Sequence, residues 1–388
     1  MRHDARVIRF VLTSALLVGA CTQPSDDGDT PTPVSESPSS SPSTAPTGAR
    51  LADGTALPDG CITGGVASET VAFVAEGRAW ALDPDTNELS CLFPVEDAGP
   101  FSWGPQGDRV LLAGFEIRGV GSGAPNLPGI QTRVTAFDWG HPIGLAVAFA
   151  DGKGHPRKRF IDTGDQIKLD ALPAGDYLHV AYHPSGLALA FVVQTDKGQE
   201  IWLSTNEGKD PQRLIFSKAG TTFTSLVFSP DGEKLWWTAE HPEGYPELHF
   251  MNLDTRTGFG TAWRGTEGTV AGGLKLAPAG SLSAVTEGGE CSEHQALVLH
   301  DGSTVVALPD ESRPTEALGW LDRRTVLVAA GGCGDPIDLY AIDGRGQDAP
   351  ALLALEVEIA APRTRVVDPP ETVPAPEPDE EPPPDGVG

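Results

Sequence analysis

The chain has 388 residues, with 54 acidic against 27 basic side chains and a formal net charge of −27. That balance excludes a phosphate-tracking surface for nucleic acid, which is built from Lys and Arg. It fits a solvated exterior and by itself names no partner.

Residues 1–20 read as a targeting segment. Arg2, Arg6 and Arg9 make a basic start, and residues 7–19 form an apolar run too short to span a bilayer. Leu17-Val18-Gly19-Ala20-Cys21 follows. This resembles a bacterial lipobox, in which small residues precede a cysteine that is lipidated and becomes the first residue. The resemblance implies a lipoprotein signal peptide over 1–20, a lipid on Cys21, and a membrane contact through that lipid at the extracytoplasmic face. The rival reading is an ordinary secretory signal with a stray cysteine. Residues 21–64 then continue as a Ser/Thr/Pro-rich tether that lacks apolar periodicity and so cannot offset the entropy of ordering. Residues 368–388, with eight prolines and seven acids, read as a disordered tail.

Residues 65–367 carry a repeat. A turn signature recurs as Gly104-Pro105-Gln106-Gly107, His141-Pro142-Ile143-Gly144, His183-Pro184-Ser185-Gly186, Ser229-Pro230-Asp231-Gly232 and Ala277-Pro278-Ala279-Gly280. Its prolines lie 37, 42, 46 and 48 residues apart. Self-similarity at this period marks a repeat architecture. Ser229-Pro230-Asp231-Gly232 suits a type I turn, with Ser first, Pro second and Gly fourth. A strand-like run precedes each turn and another follows it; later in each unit come a third strand, a polar turn and a fourth strand. Short β-branched and aromatic runs bounded by Gly, Pro and Asp read as antiparallel strands. Four of them per unit of this length make a β-propeller blade. The expectation is an all-β propeller of seven four-stranded blades, with six as the alternative. Residues 69–94 supply only three strands, and residues 361–367 are expected to return as the missing one and close the ring, removing the exposed sheet edges.

The signature resembles the WD40-like repeats of TolB-type propellers, which carry an aromatic-Ser-Pro-Asp-Gly turn. Phe228 to Gly232 matches in full; Trp103, Tyr182 and Leu276 hold the hydrophobic slot in looser copies. Trp139 sits one residue early, and Trp320 keeps the spacing after Pro and Gly have gone. TolB-type proteins also carry an N-terminal α/β domain where this chain has a linker, so their role is not carried over.

Four cysteines remain in the globular part, and an even number in an exported chain suggests disulfides. Cys291 and Cys333 fall between the second and third strands of successive blades, so the expected pairs are Cys291–Cys333 and Cys61–Cys91. Metal binding is the rival, but no Cys-x-x-Cys pair or His ladder supports it; no metal and no cofactor is expected.

In an antiparallel blade the first-to-second and third-to-fourth turns share one face. The second-to-third loops and the crossovers between blades share the other. The unlike loops lie on this second face, and variable loops on a rigid frame are where binding residues concentrate. Candidate binding residues there are Lys153, His155 and Arg157 of a basic cluster that continues through Lys158 and Arg159, then His241 and Tyr245, then Asp335. The basic cluster suits a carboxylate or phosphate; a plain solvated loop and edge strand is the alternative. No nucleophile elbow, zinc helix or phosphate loop is present. The favoured reading is therefore a binding module for an envelope protein or polymer. The alternative is a lyase or hydrolase working at the central mouth, marked by ionisable side chains converging on the axis.

Overall fold

The computed structural model describes residues 48–363, apart from 62–70, 97–98, 100, 105–106, 113–114, 121–125, 131–133, 141–145, 152–155, 218, 257–258, 279–281 and 301–302. Seven antiparallel sheets stand side by side as blades of a propeller. Blade 1 runs Ile359–Pro362, Val71–Ala75, Arg78–Leu82, Leu89–Pro94 from inside outward. Blade 2 comprises Ser102–Trp103, Arg109–Leu112 and Glu116–Gly119, with an isolated bridge from Ile117 to Leu127 at its outer edge. Blades 3 to 6 have four strands each. Their inner strands are Val134–Trp139, Asp176–Tyr182, Thr222–Phe228 and Val270–Leu276. Blade 7 runs Thr315–Trp320, Thr325–Gly331, Ile337–Asp343, Ala351–Val357, and takes a fifth strand, Arg50–Leu51, on its outer edge. No α-helix occurs among the described residues, and no helix there is long and apolar enough to cross a membrane.

The second strands explain why the blades stack. In a strand, successive side chains point to opposite faces. Here both faces are covered by neighbours, so the second strands carry apolar runs rather than strict alternation, as in Val71–Ala75 and in residues 188–193 of Ala188–Thr195. Val71, Phe73 and Ala75 pack toward blade 7, while Ala72 and Val74 pack toward blade 2. Leu189, Phe191 and Val193 pack toward blade 3, while Ala190 and Val192 pack toward blade 5. Seven apolar clusters result, one at each interface around the ring. The cluster between blades 7 and 1 closes the circle.

The closing strand is Ile359–Pro362 rather than 361–367. It pairs with Val71–Ala75 in the register Val71↔Pro362 to Val74↔Ile359. Only Glu358 separates it from the last strand of blade 7, so the chain steps to blade 1 earlier than expected. Residues beyond Arg363, and with them the tail, lie outside the described residues.

The turn signature closes the first hairpins of blades 2, 4, 5 and 6 in the same way. Ser229 N–H donates to Lys234 O, and Gly232 N–H to Ser229 O. Gly104, His183 and Ala277 close onto the residue five further on, as Ser229 does. Gly140 instead closes onto Ala146, six residues on, and Leu321 onto Thr325, four on. The early Trp139 is therefore in its proper slot, buried like Trp103 and Trp320. One extra residue lies in the turn after it, and the blade 7 turn is one shorter, which leaves no room for the Pro-x-Gly signature.

The boundary expected at residue 64 moves toward the N-terminus. Residues 48–61 belong to the fold: Arg50 and Leu51 pair with Leu355 and Ala354, and Ala49, Leu51 and Leu57 enter the cluster between blades 7 and 1. Cys61 bonds Cys91 on the outer strand of blade 1, so this segment is tied down at both ends. Cys291 bonds Cys333, with Cα atoms 5.8 Å apart, joining the second-to-third loops of blades 6 and 7. Both pairings are those expected. Cys21 lies outside the described residues.

Candidate functional site on blade 5

The rim of blade 5 on the loop face gathers a set of ionisable and aromatic groups. Its second strand, Lys234–Glu240, and third strand, Pro246–Asn252, are joined by a tight loop in which His241 N–H donates to Tyr245 O. This fold-back sets His241 above the start of the third strand. Glu247 and His249 are two apart on that strand and so share a face, the one on which Met251 packs toward blade 4. Glu247 Oε2 lies 3.0 Å from His241 Nε2 and 3.2 Å from His249 Nε2, and the two Nε2 atoms are 3.4 Å apart.

A β-bulge completes the arrangement. The fourth strand, Gly260–Arg264, pairs His249 with Thr261 but Leu248 with Trp263, so Ala262 is an extra residue. Bulges re-aim side chains. This one puts Thr261 and Arg264 on one side although they are three apart. Thr261 Oγ1 then meets His249 Nδ1 at 3.2 Å, and Arg264 grips Glu247 Oε1 at 2.8 Å through Nε and 2.6 Å through an Nη. Arg264 also covers the Tyr245 ring at 4.3 Å, and that ring stacks on His241 with centroids 5.2 Å apart. Tyr245 donates its hydroxyl proton to Glu243. On the other side His249 is packed by Trp237 and Phe259.

Glu247 and His249 are each only 4% exposed, while His241 and Tyr245 are half-buried. Burial pushes the His249 imidazole below its ordinary pKa, with the Glu247 charge opposing, which keeps the ring neutral near pH 7. The hydrogen bond to Glu247 raises the Arg264 guanidinium, and the bond to Glu243 raises the Tyr245 phenol. The rim thus offers a fixed carboxylate, imidazole nitrogens and an aromatic–guanidinium stack.

The other candidates fare unevenly. Lys153 and His155 lie outside the described residues. Arg157 is half-buried on the third strand of blade 3, Pro156–Phe160, where it pairs with Phe149 and Lys168. Two residues that continue the basic cluster, Lys158 and Arg159, are turned inward. Arg159 is buried and donates to Phe115 O at 2.8 Å and Pro128 O at 2.7 Å; Lys158 is buried and donates to Asn206 O. These two cations tie blade 3 to the segments on either side. Asp335 is exposed beside the Cys291–Cys333 bond on blade 7, two blades from His241.

The axis is polar. Asp138, on the inner strand of blade 3, accepts the Trp139 and Tyr182 backbone N–H groups at 2.9 and 2.7 Å. Burial nonetheless raises its pKa to about 6. Lys275 of blade 6 faces the charges of Asp138 and of Glu316 on blade 7, and desolvation lowers its pKa.

No family model and no curated relative matches the chain. Similar folds occur among solved structures. A chain of a nidogen/laminin complex is 12% identical over 76% of this chain and 99% of its own, with a TM-score of 0.47. TolB from Acinetobacter baumannii is 13% identical over 78% of this chain and 68% of its own, with a TM-score of 0.45. The β-propeller domain of Cps50 (Swd1) from Myceliophteria thermophila is 13% identical, covering 66% and 86%, with a TM-score of 0.48. At these identities the likeness is one of fold.

Sequence reasoning singled out His241 and Tyr245 and passed over Glu247, His249, Thr261 and Arg264. The available signal was Glu-x-His within a strand, a period of two. The fourth-strand partners had no such signal, because the bulge breaks the period.

Proposed function

We propose that this propeller is an extracytoplasmic binding module, held at the cell membrane by a lipid on Cys21, that recognises an envelope protein or polymer through its loop face. The observation that carries the reading is the preorganised stack of His241, Tyr245 and Arg264 on an otherwise rigid ring. Tyr and Arg anchors held in place before contact lose little entropy on binding. The chain's net charge of −27 favours a partner that presents cationic or hydrogen-bonding groups.

A cross-linking pulldown from the native envelope tests this. Tyr245→Ala should weaken capture at least tenfold with an unchanged melting temperature, and Arg157→Ala should weaken it if blade 3 shares the surface. Asp254→Ala, an exposed change in the opposite turns, should leave capture intact. Loss of capture in Asp254→Ala with retention in Tyr245→Ala would assign binding to the other face.

A second reading has its own support, the trio Asp138, Lys275 and Glu316 on inner strands. It is a lyase or hydrolase site at the central mouth. Turnover of an envelope polymer that Lys275→Met abolishes, with capture by Tyr245 variants unaffected, would favour it.

A further inference from the structure

The geometry points to a divalent transition-metal site formed by His241, Glu247 and His249 on the rim of blade 5. It stands independently of partner binding, because the metal can be measured on the isolated protein.

Three observations carry it. First, the three donor atoms form a triangle with edges of 3.0, 3.2 and 3.4 Å. Zinc takes N and O ligands at about 2.0–2.1 Å in a tetrahedron, whose donors are then about 3.3 Å apart. The triangle has the dimensions of one tetrahedral face. Second, the outer contacts suit ligands. His249 Nδ1 meets Thr261 Oγ1, which orients Nε2 toward the site, and Arg264 occupies Glu247 Oε1, leaving Oε2 for the ion. Ligating histidines and carboxylates are held by such partners. Third, Glu247 and His249 are more than nine-tenths buried on regular strand, so two donors are fixed before any ion arrives. Glu243 adds a further negative charge beside Tyr245 and Arg264. Together with Glu247 it offsets Arg264, and the net charge of −27 draws cations.

Blade 4 shows what the same scaffold does without metal chemistry. There Glu200 is buried on the third strand, Arg213 of the fourth strand pairs with it at 3.1 Å, and Trp202 Nε1 donates to its other oxygen at 2.8 Å. An indole N–H is a donor only. Blade 5 keeps the Glu–Arg pair, replaces the indole with the His249 imidazole, and brings in His241. Both replacements carry a nitrogen lone pair. The ion class follows from the donors: imidazole with one carboxylate suits Zn2+ and its first-row neighbours rather than Mg2+ or Ca2+. Three protein ligands leave a fourth position, and half-buried His241 places it toward solvent.

The test uses the purified full chain after chelator treatment, titrated calorimetrically with Zn2+ and, separately, Ca2+. Cobalt(II), whose visible absorption reports coordination, supplies a spectroscopic check. The expected result is saturable uptake of one Zn2+ and no comparable Ca2+ binding. His241→Ala and His249→Gln should each weaken Zn2+ by at least 100-fold, and Thr261→Val by about 10–100-fold, the usual effect of losing an outer partner. His241→Ala removes one of the two imidazole contacts to Glu247 Oε2, so its urea unfolding in chelator is recorded beside its Zn2+ affinity; a cooperatively folded variant that has lost Zn2+ separates ligand loss from misfolding. Absence of stoichiometric Zn2+ uptake by the wild type would overturn the inference. So would binding retained within threefold in both histidine variants, because the trio would then be a proton-only network like that of blade 4.

Discussion

The turn signature does more than close hairpins, because blades 4 and 5 are joined through it. His183 opens the blade 4 turn. Its Nδ1 accepts the Ser185 N–H at 3.1 Å, so Nε2 carries the proton and donates to Gly232 O in the blade 5 turn at 3.0 Å. The same ring meets Phe228 edge-on at 5.0 Å. Gly232 has φ +76°, and a Cβ there would lie 2.5 Å from His183 Cε1 and Nε2. Gly232→Ala therefore has two costs. The left-handed conformation costs about 1–2 kcal/mol for an L side chain. Displacing His183 loses a hydrogen bond of about 0.5–1.5 kcal/mol and part of a ring contact of similar size. The expected total is about 2–4 kcal/mol. Gly268→Ala is the control, at φ +86° with open space around the added carbon, and should cost only the conformational part. Urea unfolding followed by tryptophan fluorescence gives each value. In a His183→Ala background, Gly232→Ala should fall to the Gly268→Ala value, a coupling of about 1–2 kcal/mol. Equal costs in both backgrounds would refute the inter-blade link.

Other outcomes follow from the same structure. Changing Cys291 and Cys333 together to Ser should destabilise by up to about 3.9 kcal/mol, the chain-entropy value for a separation of 42 residues; reductant should shift wild type further than the variant in the same urea titration, because the variant keeps only the Cys61–Cys91 bond to lose. The Arg324 hydrogen bond, through Nε to Oδ1, holds the Asp343 carboxyl well below the usual carboxylate range. Its contribution is present above pH ~4, the unfolded value, and lost as pH falls further; Arg324→Ala should flatten that acid limb, and an unchanged limb would dismiss the pair. Asp138 has the opposite sign: its folded pKa is raised to about 6, so its contribution is full below pH ~4 and lost as pH rises through 6. Relative to Asp138→Asn, wild type should lose stability between pH 4 and 7, by at most about 3 kcal/mol. Cys21→Ala should abolish incorporation of labelled fatty acid, and persistent labelling would discard the lipid anchor.

What could be read from the sequence was whatever each blade repeats. The spacing of Pro105, Pro142, Pro184, Pro230 and Pro278 marks one hairpin per unit, and strand alternation does the rest, so propeller, blade number and ring closure were all accessible. The disulfides were accessible because Cys291 and Cys333 hold equivalent positions in successive blades. What escaped was non-repeating. Two residues, Arg50 and Leu51, make too short a run to announce a strand, yet they pair on blade 7 because Ala49 and Leu57 anchor them in an apolar cluster. Lys158 and Arg159 look like a solvated basic patch, but backbone carbonyls at Asn206, Phe115 and Pro128 satisfy them inside. Glu247 and His249 were hidden because a period of two is what any half-buried strand shows, and Thr261 and Arg264 because a bulge reverses the expected parity.

These escapes share a geometric cause. Radial sheets are closest at the axis and diverge outward. Small residues such as Ala181, Ala271 and Ala317 are almost fully buried on the inner strands, with bulk such as Trp103, Trp139 and Trp320 confined to the strand ends. Toward the rim the same interfaces must be filled by bulk, as with Trp202, Trp236, Phe250 and Trp263, or by polar pairs such as Glu200–Arg213 and Glu247–Arg264. A buried carboxylate is tolerable only when it is paired and its remaining oxygen is satisfied. The outer strands are therefore where each blade needs a polar solution, and where solutions differ from blade to blade without disturbing the stacked core. Blade 4 meets the need with an indole and blade 5 with two imidazoles. The position that demands a donor for structural reasons is thus the one at which a change of donor introduces chemistry, and the rim of blade 5 is where this chain has made that change.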